Sequence, residues 1–296
     1  MKRKNSMVCF GEVLWDIFPK QKVVGGAPLN VTFHANNFGI NAQIISATGN
    51  DELGTELRSV LSQKKINDDL INTNYTFPTG TVQVTLDKKG SASYEIVQPV
   101  AWDFLETNPK IENIVSSSDI LLFGSLSCRN ENNYQTLLQL IKKAKKTVFD
   151  VNLRPPFYGQ TLIENLLQKA DIVKMNDEEL EEISDWYGIV THIKEQMSFI
   201  KNRFNIETLI VTAGKNGAYC IHNNVLYHQK GFPVTVEDTV GSGDSFLAAF
   251  LFKMLHKASW QKCLEFACAT GALVATQTGG TPSIKEDNVL DFIERK

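Results

Sequence analysis

Short apolar runs alternate along this chain with longer stretches in which apolar residues recur every three or four positions. The short runs are Met7–Phe10, Gln43–Ala47, Ile120–Phe123, Val148–Val151, Ile172–Met175 and Leu209–Thr212, bounded by Gly, Asn, Asp or Ser. Continuous apolar runs of this length predict strands buried on both faces. Glu52–Lys65, Tyr134–Lys145 and Lys194–Phe204 carry the helical spacing between them. Strand and helix in alternation predict βαβ units, hence an α/β fold with a mostly parallel sheet and helices on both sides.

One stretch departs from that rhythm. In Thr81–Leu86 and Ser91–Val97 apolar and polar residues strictly alternate, and Asp87-Lys88-Lys89-Gly90 joins them. This predicts a hairpin, with Gly90 supplying a positive φ in its turn. A hairpin fits poorly within a parallel sheet, so a separate small sheet is expected, with partner strands from Glu12–Val24. Val82, Val84 and Leu86 share one face of the hairpin, and that face must be covered. A second copy of the chain, pairing through this sheet as a homodimer, is the expected cover. Burial against the main body of a monomer is the alternative.

Composition narrows the class. Hydrophobic residues make up 43% and charged residues 21% of 296, an ordinary globular mix. Lys and Arg total 30 against 33 Asp and Glu, so no basic excess is available to neutralise a nucleic-acid backbone. The basic cluster Lys142, Lys143, Lys145 and Lys146 reads as the solvated end of a helix. Five scattered cysteines without a CxxC pair suggest neither disulfides nor a zinc site. No apolar run spans a bilayer and the N-terminus has no signal-like segment, so a cytoplasmic location is expected and no membrane partner.

The segment with the most chemical content is Asp238-Thr239-Val240-Gly241-Ser242-Gly243-Asp244-Ser245-Phe246, which opens a helical pattern. Two glycines at a helix start let the backbone approach an anion, and the free N–H groups and helix dipole favour negative charge there. A carboxylate in that first turn is either a helix cap or a general base. An anion cradle beside a carboxylate is what phosphoryl transfer to an alcohol requires.

This nonapeptide resembles the C-terminal signature of the PfkB, or ribokinase-like, family of carbohydrate kinases, and the resemblance covers nearly the whole chain. It implies a three-layer α/β/α sandwich with a small β-sheet lid. One kinase domain would span 1–296, with a discontinuous lid from about 12–30 and 76–103. It implies Asp244 as catalytic base, with Gly241, Ser242 and Gly243 holding developing charge. Gly25-Gly26-Ala27-Pro28-Leu29-Asn30 resembles the family's sugar-binding glycine pair, implicating Gly26 and Asn30, and Asp16 follows a similar Gly-Glu opening and would accept from sugar hydroxyls. Asn176 and Glu179 fill an NxxE pattern associated with magnesium, whose preference is for hard oxygen ligands. Thr212, Gly214 and Gly217 resemble the loop beside the ATP phosphates, and Gly280 the loop that closes over adenine and, in many members, a monovalent cation such as K+.

Asp150-Val151-Asn152-Leu153-Arg154 resembles a DxNxR pattern of fructokinases and ketodeoxygluconate kinases, and makes Arg154 a donor to sugar oxygens. Arg129 is a further candidate, with an ordinary surface arginine as the alternative. The implied reaction is ATP-dependent phosphorylation of fructose to fructose 6-phosphate. Ketodeoxygluconate or ribose as substrate, and a non-catalytic sugar-binding regulator, are the alternatives. A dinucleotide oxidoreductase is disfavoured because no GxGxxG follows the first strand. Where many relatives carry an Asn near adenine, this chain has Cys268.

Overall fold

The computed structural model describes residues 4–86 and 92–295. In chain order the elements begin with β1 (Ser6–Phe10), β2 (Leu14–Ile17), β3 (Lys22–Gly25), α1 (Ala27–Asn37), β4 (Asn41–Gly49) and α2 (Glu52–Gln63). There follow β5 (Ile71–Asn74), β6 (Gly80–Leu86), β7 (Ala92–Ile96), α3 (Pro109–Ser117), β8 (Ile120–Gly124), α4 (Glu131–Ile141), β9 (Thr147–Asp150) and α5 (Gln160–Leu167). The chain then forms β10 (Ile172–Asn176), α6 (Asp177–Asp185), α7 (Ile193–Arg203), β11 (Thr208–Thr212), β12 (Ala218–His222) and β13 (Val225–Gln229). It ends with α8 (Ser242–Leu255), α9 (Trp260–Ala275) and α10 (Glu286–Glu294).

All six apolar runs become strands of one nine-stranded sheet, ordered β13-β12-β11-β10-β9-β8-β1-β4-β5. Every pairing from β11 to β5 is parallel, and only β12 and β13 run antiparallel at the edge. Successive side chains of a strand point to opposite faces, and that alternation splits the core in two. Met7, Cys9, Ile44, Leu122 and Ile210 pack on one side with α1, α8 and α9. Val8, Phe10, Ile45, Phe123 and Leu209 pack on the other, with residues of α3 to α7. The architecture is the expected three-layer α/β/α sandwich.

The edge hairpin went unread in the sequence, although Asn223 and Asn224 mark it. Both adopt positive φ, 47° and 61°, as a two-residue hairpin turn requires. Helix ends also moved. Helix α2 stops at Gln63 because Lys65 turns to φ 58°, and α4 starts early because Asn130 caps it by accepting from the N–H of Asn132.

The second sheet has four strands in the order β3-β2-β6-β7, so Glu12–Val24 does supply its partners. It is fastened to α2 by Trp15, whose indole N–H donates to Leu53 O at 3.0 Å, and by the Lys22–Glu56 ion pair. The turn expected at Gly90 lies outside the described residues. Val82 and Val84 are buried together with Leu14, beside Phe18 and Ile96.

Arg129 is not a surface residue. Its guanidinium binds both oxygens of Asp103 at 2.7 Å and stacks over the Trp102 and Phe157 rings. It also donates to Val97 O at the end of β7, so it pins the strand that leaves the small sheet to the main body. Breaking a buried ion pair from one side strands the other charge and costs about 3–5 kcal/mol. Asp103→Ala is therefore expected to lose about 3 kcal/mol in urea-induced unfolding; a loss below about 1 kcal/mol would show that the pair does not hold this junction.

Candidate active site

The C-terminal ends of the parallel strands converge on one side of the sheet, where open α/β sheets place their ligands. Helix α8 begins there. Its N-cap is Gly241, left-handed at φ 73°, and a Cβ on it would lie 2.4 Å from Gly280 O. Only glycine permits that approach. Asp238 fixes the two loops together, accepting from the N–H of Val240 at 3.0 Å and of Gly279 at 2.9 Å. Its structural role was not assigned from sequence.

Asp244 sits in the first turn of α8, and its Oδ2 accepts from Asn30 Nδ2 at 2.8 Å. It is therefore not used as a cap of its own helix. Ser242 departs from the expectation of three free donors. Its N–H is directed to Thr239 O and its hydroxyl donates to Gly271 O, so it braces the turn. Among the described residues, the N–H groups of Gly241 and Gly243 keep no partner within the chain.

Asn30 belongs to α1, which starts at Gly26 with φ 113° and no side-chain cap. A Cβ at Gly26 would lie 2.4 Å from Glu12 O, so the residue that could cap is excluded by packing. Glu12 takes over, accepting from the N–H of Ala27 through Oε1. A Cβ at Gly25 would lie 2.4 Å from Asp16 Oδ2, so both glycines make room for acidic residues. His34, further along α1, bonds Gly280 O at 2.9 Å through Nε2 and so holds the loop that covers Gly241. Neither Glu12 nor His34 was singled out from sequence as a site residue, and each acts through backbone that no pattern displays.

The site is crowded with carboxyl groups. Burial pushes Asp244 up to about 6, helped by the nearby Asp150 and opposed by Asn30, Lys174 and Arg154. Burial likewise raises Asp16 to about 6 and Glu12 to about 7, with Arg154 opposing both. Arg154 is exposed and donates to Leu153 O, which leaves most of its guanidinium open. Lys174, also unnoticed in the sequence, is buried on β10 with Nζ 2.9 Å from Asp150 Oδ1.

Asn176 and Glu179 form a capping box. Asn176 Oδ1 accepts from the N–H of Glu179 at 2.7 Å, and Glu179 Oε2 from that of Asn176 at 2.8 Å. Glu179 Oε1 takes the N–H of Leu153. With each of these oxygens already bonded, the pair fits a hard cation through water better than directly. No cluster of three or more metal-ligating side chains occurs among the described residues.

Thr212 stands beside Asn176 in the register of β10 and β11. Gly214 has φ 49° and open space around it, whereas Gly217 has φ 92° and packs on Gln229 O. These three lie at and just after the end of β11, where their hydrogen bonds run to Met175 O and within the loop rather than to Asp244. A broad depression of about 700 Å³ lined by Pro233, Val234, Thr235, Glu237 and Thr276 lies beside the Asp238 loop.

Comparison with known proteins fits this geometry. The pfkB family carbohydrate kinase profile matches residues 6–287. The chain is 28% identical over 321 residues to a probable fructokinase-2 of Arabidopsis thaliana, covering 98% of this chain and 96% of that one. In structure it resembles the fructokinase of Xylella fastidiosa with bound ATP, at a TM-score of 0.87 and 22% identity over 99% of both chains. It also resembles the fructokinase of Vibrio cholerae O395 in its fructose, ADP and calcium ion bound form, at 0.84 and 23% over 98% of this chain and 99% of that one.

A carboxyl whose folded-state pKa is raised from 3.8 to about 6 holds its proton more tightly in the fold than in the unfolded chain. Its contribution to stability is therefore full at acid pH and is lost as pH rises through about 6. Asp244→Asn is expected to raise Tm by at least about 2 °C at neutral pH while reducing turnover about 10²- to 10⁴-fold. The Tm advantage should vanish at pH values below the ordinary carboxylate range. An unchanged Tm at neutral pH would mean that Asp244 is not held at a cost to the fold.

Proposed function

The chain belongs to the pfkB family of carbohydrate kinases, and from that premise we propose that it transfers the γ-phosphate of ATP to a hydroxyl of fructose, giving fructose 6-phosphate. The observation that carries this reading is the placement of Asp244, a carboxylate of raised proton affinity at the mouth of a glycine turn with unpaired N–H groups. A base poised near the working pH and an anion cradle within one helical turn suit transfer to an alcohol.

In this reading the sugar lies between the small sheet and the start of α1. Asp16 accepts from two of its hydroxyls, Asn30 and the backbone at Gly26 bind others, and Arg154 offers its open guanidinium. Fructose is preferred because relatives that match over nearly the whole chain include several fructokinases; the Asp150-to-Arg154 pattern, shared with ketodeoxygluconate kinases, is compatible with it. An acid sugar such as ketodeoxygluconate would use Arg154 for its carboxylate and is the alternative.

ATP would lie along the strand ends, its phosphates between the Thr212–Gly217 loop and the turn at Gly241, under the Gly280 loop. The base would lie towards the depression by Pro233 and Thr276. Asp244 takes the hydroxyl proton as the oxygen attacks the γ-phosphorus and the bond to the ADP oxygen breaks. The N–H groups of Gly241 and Gly243 hold the charge that develops. Magnesium, held through water by Asn176 and Glu179, would supply neutralisation of phosphate charge. The small sheet acts as a lid whose closure excludes water.

Release of ADP with a sugar panel tests the reading. Fructose is expected to give the highest kcat/KM among fructose, ribose and ketodeoxygluconate. A different leader would overturn fructose and leave the kinase, and no release with any sugar would overturn both. In Asp16→Asn, loss of charge-assisted hydrogen bonds worth about 1.5–3 kcal/mol each should raise the sugar KM at least about tenfold, with the ATP KM within about threefold.

The proposal extends to a homodimer. Val82 and Val84 are already buried within one chain, so the apolar face does not itself call for a partner. Among the described residues, however, strand β7 pairs with β6 alone, and an open edge of this kind is a template for pairing with a second copy. Sedimentation equilibrium at micromolar concentration should show a dimer, and a monomer there would sink this part alone.

A further inference from the structure

An interior strand behind the glycine turn carries a charge where apolar packing would suffice. Lys174 is 7% exposed in the middle of β10, between the core residues Val173 and Met175. Its Nζ lies 2.9 Å from Asp150 Oδ1 at the end of β9, and a Cβ placed on Gly243 would come within 3.3 Å of it. The ammonium thus stands against the first turn of α8, one residue from Asp244.

Burying a charge pair gives little net stability over an apolar pair of the same size. An apolar side chain would suit the neighbours of this position on β10 but would strand the buried Asp150 carboxylate, so the need for the charge lies in what surrounds it. Asp150 is 3% exposed, and its second carboxylate oxygen has no hydrogen-bond partner. Facing Asp244 are Asn30 from α1, Asp150 from β9, Lys174 from β10, Arg154 from the segment after β9 and Glu12 from the segment after β1. Two of these are carboxyl groups and two are cations. Arg154 is exposed to solvent, which screens it. Lys174 is the buried cation.

We propose that Lys174 is a positioning residue for catalysis: by pairing with Asp150 it cancels the buried anion beside Asp244 and so keeps Asp244 ionised as a base at neutral pH. This rests on the reading of Asp244 as the base. Like charges in a dry interior repel strongly, and a carboxyl beside an uncompensated carboxylate keeps its proton. A protonated Asp244 could not accept the proton of the sugar hydroxyl. In the reaction that O–H bond breaks, its proton passes to Asp244, and its electron pair forms the new bond to phosphorus as the bond to ADP breaks. Lys174 exchanges no proton and touches no reacting atom in this scheme.

The two partners of the pair then have opposite effects. Removing the ammonium should make Asp244 less acidic, and removing the Asp150 charge should make it more acidic. A packing role predicts no such difference in sign.

The test uses the full chain as wild type, Lys174→Met, Asp150→Asn and the double variant. The pH profile of kcat is measured at saturating ATP and sugar, and the titration of Asp244 is followed by carboxyl carbon NMR in the substrate-free protein. Lys174→Met is expected to raise the acid-limb midpoint by at least about one unit, a roughly tenfold fall in kcat below that limb that recovers at higher pH, with both KM values within about threefold. Asp150→Asn should lower the midpoint, and the double variant should return to within about half a unit of wild type.

A midpoint that stays put in Lys174→Met, or a loss of activity that is flat with pH in both single variants, overturns the proposal. If Lys174→Met fails to fold, the sign of the Asp150→Asn shift decides: a fall supports it, and a rise or no change overturns it. NMR midpoints that move as expected in a protein that phosphorylates no sugar would overturn the kinase reading instead, and leave the charge relation standing.

Discussion

The hydrogen bond from Asn30 to Asp244 joins residues 214 positions apart, and most of the site's architecture exists to place its two ends. Asn30 is aimed by α1, which must begin at a glycine because the Glu12 carbonyl occupies the space of a Cβ. Asp244 is aimed by α8, which must begin at a glycine because Gly280 O occupies the corresponding space there. His34 links the two starts, since it lies on α1 and holds the Gly280 carbonyl that crowds α8. Each helix start therefore sacrifices a side-chain cap to gain a close backbone approach. The helices offset this by packing on each other and on the same face of the large sheet, through Leu29, Phe33, Leu247 and Phe250.

The strand pattern was legible because a parallel sheet with two covered faces demands uninterrupted apolar runs, and Ile120–Phe123 or Leu209–Thr212 have few other uses. The hairpin at Thr81–Val97 was legible for the opposite reason, its alternation being foreign to such a sheet. Other features were visible but passed over. Two consecutive asparagines at 223 and 224 announce a tight hairpin, and Lys174 is a charge inside an apolar run, which is a conflict between local pattern and burial. The N-x-x-E spacing at Asn176 and Glu179 shows a real ambiguity. It fits both a cation-binding motif and a capping box, because a helix start needs the same two side chains at the same separation. Only coordinates reveal that the cap is made.

A second constraint runs through the site, the crowding of buried carboxyl groups. Asp16, Glu12, Asp244 and Glu179 are all pushed up by burial, and Lys174 and Arg154 are the cations that restrain them. Burial by itself would pull Lys174 down, but Asp150, Glu179 and Asp244 outweigh it and hold the ammonium charged. Crowding carboxyl groups away from water works against their ionised forms, an arrangement common at functional sites. In the proposed reaction, hydroxyl donors of the sugar would relieve this crowding, because a carboxylate that accepts hydrogen bonds is favoured over its acid.

The small sheet ties this relief to exclusion of water. Register places Asp16 opposite Val82, so the carboxylate shares a face with Val82, Val84 and Leu14, all buried. A single acceptor on an apolar face has few ways to be satisfied once that face is covered. A sugar hydroxyl provides one, and water would have to enter an otherwise apolar space to provide another. In the proposed function, the face that would recognise the sugar would therefore also dry the site around it. Dryness in turn strengthens the Asn30–Asp244 bond and the influence of Lys174 on Asp244, because both act through a medium of low polarity. In the proposed reaction, the sheet that binds the acceptor sugar also sets the environment in which the base at the far end of the site becomes effective.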